Sequence, residues 1–337
     1  MDLNLYDYGM IFVRAPFRIP LGGGGTDLPS YYKQFGGSLV SAAINRYMFV
    51  TVNRPLIDQL IRVKYTQTEI VDDVAKIKHE LVKEALLLTK ITDSIEINSV
   101  ADLPAGTGMG SSGSYLVALL KALHTLKQEI VKTQDLAEEA CTIEIDRLKR
   151  PVGKQDQYIA AYGGITKLKI SKNGHVTVKQ LTLDPSFVRD LESSLLIFYT
   201  GIRREEQQIL KSQSQATKDR NIRVVENLHS IKAIGQKIEQ ALLHHDITAF
   251  GTLMHEHWMS KRKLSAAISS SRIDQLYELG MKNGALGGKI MGAGGGGFLL
   301  FCCPGDRSKI RSAMKTEGLE ELFYHFDREG AKVIADL

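Results

Sequence analysis

Residues 103–114 read LPAGTGMGSSGS. The stretch follows a β-rich segment, 94–99, and opens an apolar run of helical character from about Ser112 to Leu126. Gly106, Gly108, Gly110 and Gly113 let the backbone curl so that successive N–H groups turn inward. Ser111 and Ser112 fall at the helix entry, where unpaired N–H groups and the helix dipole favour an anion. The stretch is not a Walker A loop, because no Gly-Lys-Ser/Thr closes it. It is not the dinucleotide fingerprint either, since its glycines run G-x-G-x-G where that motif needs G-x-G-x-x-G. Alone, it fits a phosphate cradle and an ordinary tight strand–helix turn equally well.

Two further glycine runs lie far away in the chain, at 22–25 (GGGG) and 292–297 (GAGGGG). Glycine makes up 30 of 337 residues, a small excess over the usual ~7%. Thirteen of the thirty sit in these three runs, which suggests a binding cleft assembled from distant segments. Length points to about two domains. Hydrophobic residues at 43% and charged residues at 24% exclude a disordered, collagenous or coiled-coil chain. The apolar stretches, such as 298–303, fall far short of the ~20 residues that span a bilayer. The N-terminal MDLNLYDYG has no basic n-region and does not read as a signal peptide. Three cysteines (Cys141, Cys302, Cys303) supply neither a disulfide framework nor zinc-site spacing. A cytoplasmic protein is expected. The net charge of +5 comes from basic residues interspersed with acids, so no nucleic-acid stripe is expected. A modest positive balance suits an anionic small substrate.

Outward from the central loop, strands are expected at 11–14, 47–53, 60–65 and 94–99. Helices are expected at 74–89, 112–126 and 133–148. A hairpin should fold 164–171 onto 175–181 around Asn173-Gly174. After Asp184-Pro185 a buried strand, 194–200, precedes helical periodicity from about 205 to 282. Beyond the third glycine run come a strand at 298–303, a helix near 307–316, and strands near 322–326 and 331–334. A domain boundary is expected near 185–193, giving segments 1–188 and 189–337.

The P-x-G-x-G-M-G-S-S run resembles the central motif of the GHMP kinases, which include galactokinase, homoserine kinase, mevalonate kinase and phosphomevalonate kinase. The other two runs resemble that family's flanking motifs. Residues 15–27 (APFRIPLGGGGTD) are similar to its N-terminal A-P-x-R-x-x-L-x-G-x-x-T-D segment. Residues 289–298 (KIMGAGGGGF) are similar to its C-terminal K-x-T-G-A-G-x-G-G motif, with Met291 where threonine is usual. Residues 152–164 (VGKQDQYIAAYGG) resemble the catalytic-aspartate segment of its galactokinase-like members. The G-K-Q-D-Q-Y form, with G-G-G-G-T-D and the T-G-x-x-R of 199–204, resembles D-glycero-D-manno-heptose 7-phosphate kinases and related fucokinase-type enzymes.

The resemblance implies an α+β fold of two domains, the second ferredoxin-like with helical insertions, and an active site in the interdomain cleft. It implies ATP under the central loop, at Pro104, Gly106, Gly108, Met109, Gly110, Ser111, Ser112 and Gly113. Asp156 matches the catalytic aspartate, which takes or orients the acceptor's proton; otherwise it caps the short helix 157–162. Arg18 matches the arginine at the transferred phosphate, where a guanidinium forks onto oxygens; a surface ion pair is the alternative. Lys154 adds a cation near Asp156, or is simply solvated. Ser112 and Glu144 match the family's Mg²⁺ ligands, the latter with a one-residue length difference before Asp156; Glu144 otherwise reads as an exposed helix acid. Gly24, Gly25, Thr26 and Asp27 should face the sugar, unless Asp27 caps a helix over 28–35. Gly294 and Gly295 should help to close the cleft on the acceptor. Arg204, or Arg203 beside it, is the candidate for a phosphate that the acceptor already carries; otherwise both are solvated cations at a helix start.

The implied activity is a sugar 1-kinase forming a heptose 1,7-bisphosphate in a bacterial nucleotide-heptose pathway. The implied partner is a small sugar phosphate, with no nucleic acid, no membrane and room for a homodimer. A kinase for an unphosphorylated sugar such as fucose, or an inactive sugar sensor, is the alternative. His255-Glu256-His257 is not H-E-x-x-H, and its i, i+2 histidines fall on different helix faces, so zinc is not expected. Cys302-Cys303 and Trp258 read as core packing.

Overall fold

A computed structural model of the chain describes residues 9–202 and 206–337. Among the described residues twelve strands form two sheets, and every strand pairing but one is antiparallel. The larger sheet holds β1 (Ile11–Gly22), β2 (Gly37–Asn53), β3 (Ile61–Lys64), β4 (Thr68–Val71), β5 (Ile95–Ala101), β6 (Ile165–Ile170), β7 (Val176–Gln180) and β12 (Lys332–Asp336). The smaller holds β8 (Leu195–Tyr199), β9 (Gly287–Ile290), β10 (Phe298–Cys302) and β11 (Glu320–Glu321), in the order β11-β8-β10-β9. The seventeen residues of β2 serve two neighbours on one side: its first half pairs β6 and its second half pairs β5.

Among the described residues eleven α-helices clothe the sheets: α1 (Pro29–Phe35), α2 (Glu80–Thr89), α3 (Ser111–Leu126), α4 (Thr133–Cys141), α5 (Gln155–Tyr162), α6 (Pro185–Ser194), α7 (Glu206–Lys218), α8 (Ile222–Leu243), α9 (Ile247–Lys261), α10 (Ser271–Lys282) and α11 (Ser308–Thr316). The chain is a mixed helix-and-sheet fold, as expected. Helix α3 is buried nearly all round, with Leu116, Leu119, Leu120 and Leu123 fully enclosed. It packs on β1 and β2 and fixes the central glycine loop at its own N-terminus. A second core runs without interruption from Phe17, Ile19 and Leu21 of β1 through Ile234 and Ile238 of α8 to Leu300 of β10.

The boundary near 185–193 falls just before β8, the first strand of the smaller sheet. However, β12 returns to pair β1 in the larger sheet, so the segment 189–337 supplies strands to both. Three local expectations change. The helix over 74–89 breaks at Lys78, where His79 Nδ1 caps α2 by accepting from Val82 N. The helix over 133–148 becomes α4 followed by a π-helical turn, Thr142–Arg147. No strand covers 322–326: Phe326 makes an isolated bridge to Ile44, and its N–H is taken by the Glu192 carboxylate instead of a ladder partner.

Candidate active site

The three glycine runs meet at one cleft. Gly106, Gly108 and Gly110 all have positive φ (75°, 78° and 82°), a turn only glycine makes without strain. Gly110 is the N-cap of α3, so the free N–H groups of the first turn open at this point. Gly110, Ser111 and Ser112 line the cleft. Met109 serves otherwise: its side chain is buried in the second core, and its carbonyl accepts from Arg18 N at 3.2 Å. The third run packs directly on the loop, where a Cβ on Gly292 would lie 2.6 Å from Gly108 Cα. It is Gly292 and Ala293 that line the cleft. Gly294 and Gly295, expected at the acceptor, lie against Ile268, whose carbonyl accepts from Gly295 N at 2.8 Å.

Asp156 enters from the first turn of α5. Its Oδ1 accepts from Arg18 Nε at 2.8 Å, while Arg18 Nη1 donates to the Gly108 carbonyl at 2.5 Å. Arg18 thus joins the catalytic-segment helix to the glycine loop and is not a surface ion pair. Helices α3 and α5 approach closely at Gly113, where a Cβ would stand 2.7 Å from Asp156 Cβ.

Asp27 does not cap α1, whose N-cap is Leu28. Its carboxylate accepts from Gly25 N at 3.0 Å and from Gln155 N at 3.1 Å, tying the first glycine run to the start of α5. Burial, then the charge of Asp156, raises its pKa above the usual carboxylate range. Gly24, Gly25 and Asp27 line the cleft. Thr26 does not: it is fully buried, and its hydroxyl donates to the Gly23 and Ser38 carbonyls at 2.8 and 3.1 Å. It closes the loop instead of facing a ligand.

Lys154 also points elsewhere. Its ammonium sits 2.7 Å from Glu138 and 2.8 Å from the Gly174 carbonyl, outside the cleft. Residues i and i+2 at a helix start project to different sides, so adjacency to Asp156 in sequence does not bring the two groups together. Glu144, by contrast, is not the exposed acid of the alternative reading. It sits in the π-helical turn, 1% exposed, accepts from Gln157 Nε2 at 2.6 Å, and has Ser112 beside it. Burial raises its pKa, and its Oε1 has no hydrogen-bond partner, although Arg150 Nη1 stands 3.6 Å away. Arg203 and Arg204 lie outside the described residues.

The C-terminal side of the cleft carries residues that sequence reading passed over: Gln213 of α7, His257 and Lys261 of α9, and Lys289 of β9. Lys289 opens the 289–298 motif and His257 ends the His-Glu-His run, but neither pattern assigns a role, because the four residues converge only through packing of the two sheets. His255 is separate from His257, bonding Tyr277 at 2.7 Å, and no metal-binding cluster of His, Cys, Asp or Glu occurs among the described residues. Trp258 and all three cysteines are buried, as expected. No described helix is long and apolar enough to cross a membrane.

A glycine-capped helix N-terminus open to the cleft, an arginine–carboxylate pair at its mouth and a second carboxylate beside that pair define a phosphotransferase. The family model for the GHMP kinase N-terminal domain matches residues 63–164, and that for the GHMP kinase C-terminal domain matches residues 238–320. The chain belongs to the GHMP kinase family. It is 28% identical to a D-glycero-alpha-D-manno-heptose 7-phosphate kinase of Campylobacter jejuni, over 96% of this chain and 98% of that one. A bifunctional fucokinase/GDP-fucose pyrophosphorylase of Arabidopsis thaliana is 25% identical over 86% of this chain, which spans 29% of that longer protein. The fold matches the crystal structure of a D-glycero-D-manno-heptose 1-phosphate kinase from Bacteroides thetaiotaomicron with a TM-score of 0.79, at 24% identity, covering 96% and 100% of the two chains.

Proposed function

We propose that the chain is a cytoplasmic sugar kinase that transfers the γ-phosphoryl group of ATP to the anomeric hydroxyl of D-glycero-α-D-manno-heptose 7-phosphate, giving the 1,7-bisphosphate for nucleotide-heptose synthesis. The observation that carries it is the Arg18–Asp156 pair, 2.8 Å apart, at the mouth of the glycine loop. The first turn of α3 is the seat for the β- and γ-phosphates. Asp156 accepts the proton of the acceptor hydroxyl as its oxygen bonds to phosphorus, and the bond from the γ-phosphorus to the leaving oxygen of ADP breaks. Arg18 stabilises the charge spread over the transferring oxygens. Gly24, Gly25 and Asp27 face the sugar, where a carboxylate can accept from two hydroxyls at once.

Glu144 Oε1, which has no hydrogen-bond partner but faces Arg150 at 3.6 Å, with Ser112 next to it, fits a hard cation that retains most of its waters. These two residues would hold Mg²⁺, which supplies charge neutralisation at the phosphates. The 25% identity to a fucokinase supports a second reading, a neutral sugar as acceptor. Coupled ADP-release assays across heptose 7-phosphate, heptose and fucose, followed by product NMR, separate the two. Asp156→Asn should lower kcat by about 10²-fold or more. Near-normal turnover by that variant, or no ADP release with any sugar, refutes the proposal.

A further inference from the structure

The chemistry above leaves the C-terminal wall of the cleft without a task. His257 lines it at 2% exposure, and neither of its ring nitrogens has a hydrogen-bond partner among the described residues. Lys289 lies beside it at 1% exposure, donating to the Leu21 carbonyl at 2.8 Å and forming no ion pair among the described residues. Lys261, one helical turn after His257 on α9, reaches the carbonyls of Ile290 and Gly292 at 3.1 and 2.6 Å. An imidazole buried without partners is destabilising. A buried ammonium without a counter-charge is more so. Burial, with Lys261 and then Arg18 nearby, holds the Lys289 pKa well below its usual value. Burial and the same two lysines push His257 down as well. His257 and Lys289 stay uncompensated until an anion enters.

We propose that Lys289 and His257 form a second anion site in the cleft, which holds the phosphate an acceptor carries before transfer. The inference rests on the reading of the chain as a kinase for a phosphorylated sugar, and it names the residues that tell that sugar from a neutral one. An ammonium has three N–H donors, and Lys289 commits one to the Leu21 carbonyl. A ring N–H of His257 adds another, so donors from a strand and a helix converge on a tetrahedral group with three free oxygens. The γ-phosphate of ATP does not need them, because the α3 N-terminus and Arg18 serve it. The sugar would lie between, with its anomeric end at Asp156 and its phosphate against α9 and β9.

The test uses the full chain with a non-hydrolysable ATP analogue bound and inorganic phosphate as the titrant, followed by calorimetry. The wild type should bind phosphate, and Lys289→Met and His257→Gln should each weaken it ten-fold or more. Unchanged binding in both variants overturns the site. Steady-state kinetics form the second arm. The KM for heptose 7-phosphate should rise ten-fold or more in each variant, with the KM for ATP and for unphosphorylated heptose within two-fold of wild type. An equal rise for both sugars, or a rise for ATP instead, also overturns the site. Lost phosphate binding in variants of an enzyme that phosphorylates neither heptose leaves the anion site standing and defeats the heptose reading alone. His257→Gln keeps the test decisive if Lys289→Met fails to fold.

Discussion

Replacing Gly113 by alanine separates positioning from stability. In an ordinary helix the change would be favourable, since alanine is preferred over glycine in a helix interior by ~0.8–1.0 kcal/mol. Here the new methyl would stand 2.7 Å from Asp156 Cβ, 2.9 Å from Gln157 N and 3.0 Å from the Asp156 carbonyl carbon. Carbon atoms in contact settle at ~3.5–4.0 Å, so α5 must retreat from α3 by roughly 1 Å. Overpacking of this size costs ~1–3 kcal/mol. Offset by the helix preference, the net destabilisation is about 0–2 kcal/mol, and the protein should fold. Activity should suffer much more. The retreat acts first on Asp156, whose 2.8 Å bond to Arg18 sets it relative to the glycine loop. A displacement near 1 Å at a reacting group costs on the order of 10²-fold in rate. Thermal unfolding and coupled ADP-release kinetics on the same preparation measure both quantities. A folded Gly113→Ala protein with kcat within three-fold of wild type would refute the claim that the α3–α5 approach positions Asp156.

Two other substitutions probe residues that sequence reading placed at the site. Lys154→Met removes the partner of Glu138 outside the cleft; stability should fall by ~1–3 kcal/mol in denaturant unfolding, while kcat and both KM values stay within a few-fold. Glu144→Gln should raise the stability of the metal-free protein, because burial lifts the carboxyl pKa above its ordinary value of 4.5. The native state then holds a proton that the unfolded chain has released, so the Glu144 contribution falls as pH rises from that ordinary value through the raised one. The gain in Tm from Glu144→Gln should therefore be small near pH ~5 and grow toward pH ~8. The same variant should lose the additional Tm increase that Mg²⁺ gives the ATP-bound wild type.

The parts of the site legible in sequence are those under backbone constraint. Positive φ at Gly106, Gly108 and Gly110 admits glycine almost alone, so the loop is visible as spelling. Asp156 and Arg18 sit at fixed offsets from such loops, and the structure brings both to the cleft. Lys154 and Thr26 lie one or two residues from cleft-lining groups, yet their side chains leave on other sides of the backbone. His257, Lys289 and Gln213 are drawn together by packing of α7, α9 and β9, which no short-range pattern encodes. The fold divides likewise. Helix α3 and the 164–181 hairpin follow from periodicity and turn chemistry. The seventeen-residue β2 does not, because its first half, GSLVSAAI, carries small residues that pack under α3 and α8 and lack the alternation of a half-exposed strand.

The return of β12 to β1 has a consequence for how the chain comes into being. During synthesis β1 emerges among the first elements, yet its partner over Ile11–Arg14 follows every other strand. Until then the growing chain presents an unpaired strand margin with open N–H and C=O groups, the kind of edge that recruits foreign strands. The larger sheet can assemble β2 to β7 while still on the ribosome, but its last hydrogen bonds wait until β12 has been made. The smaller sheet is thereby enclosed between the two ends of the larger one, and neither can be cut free as an independent piece by severing the chain once.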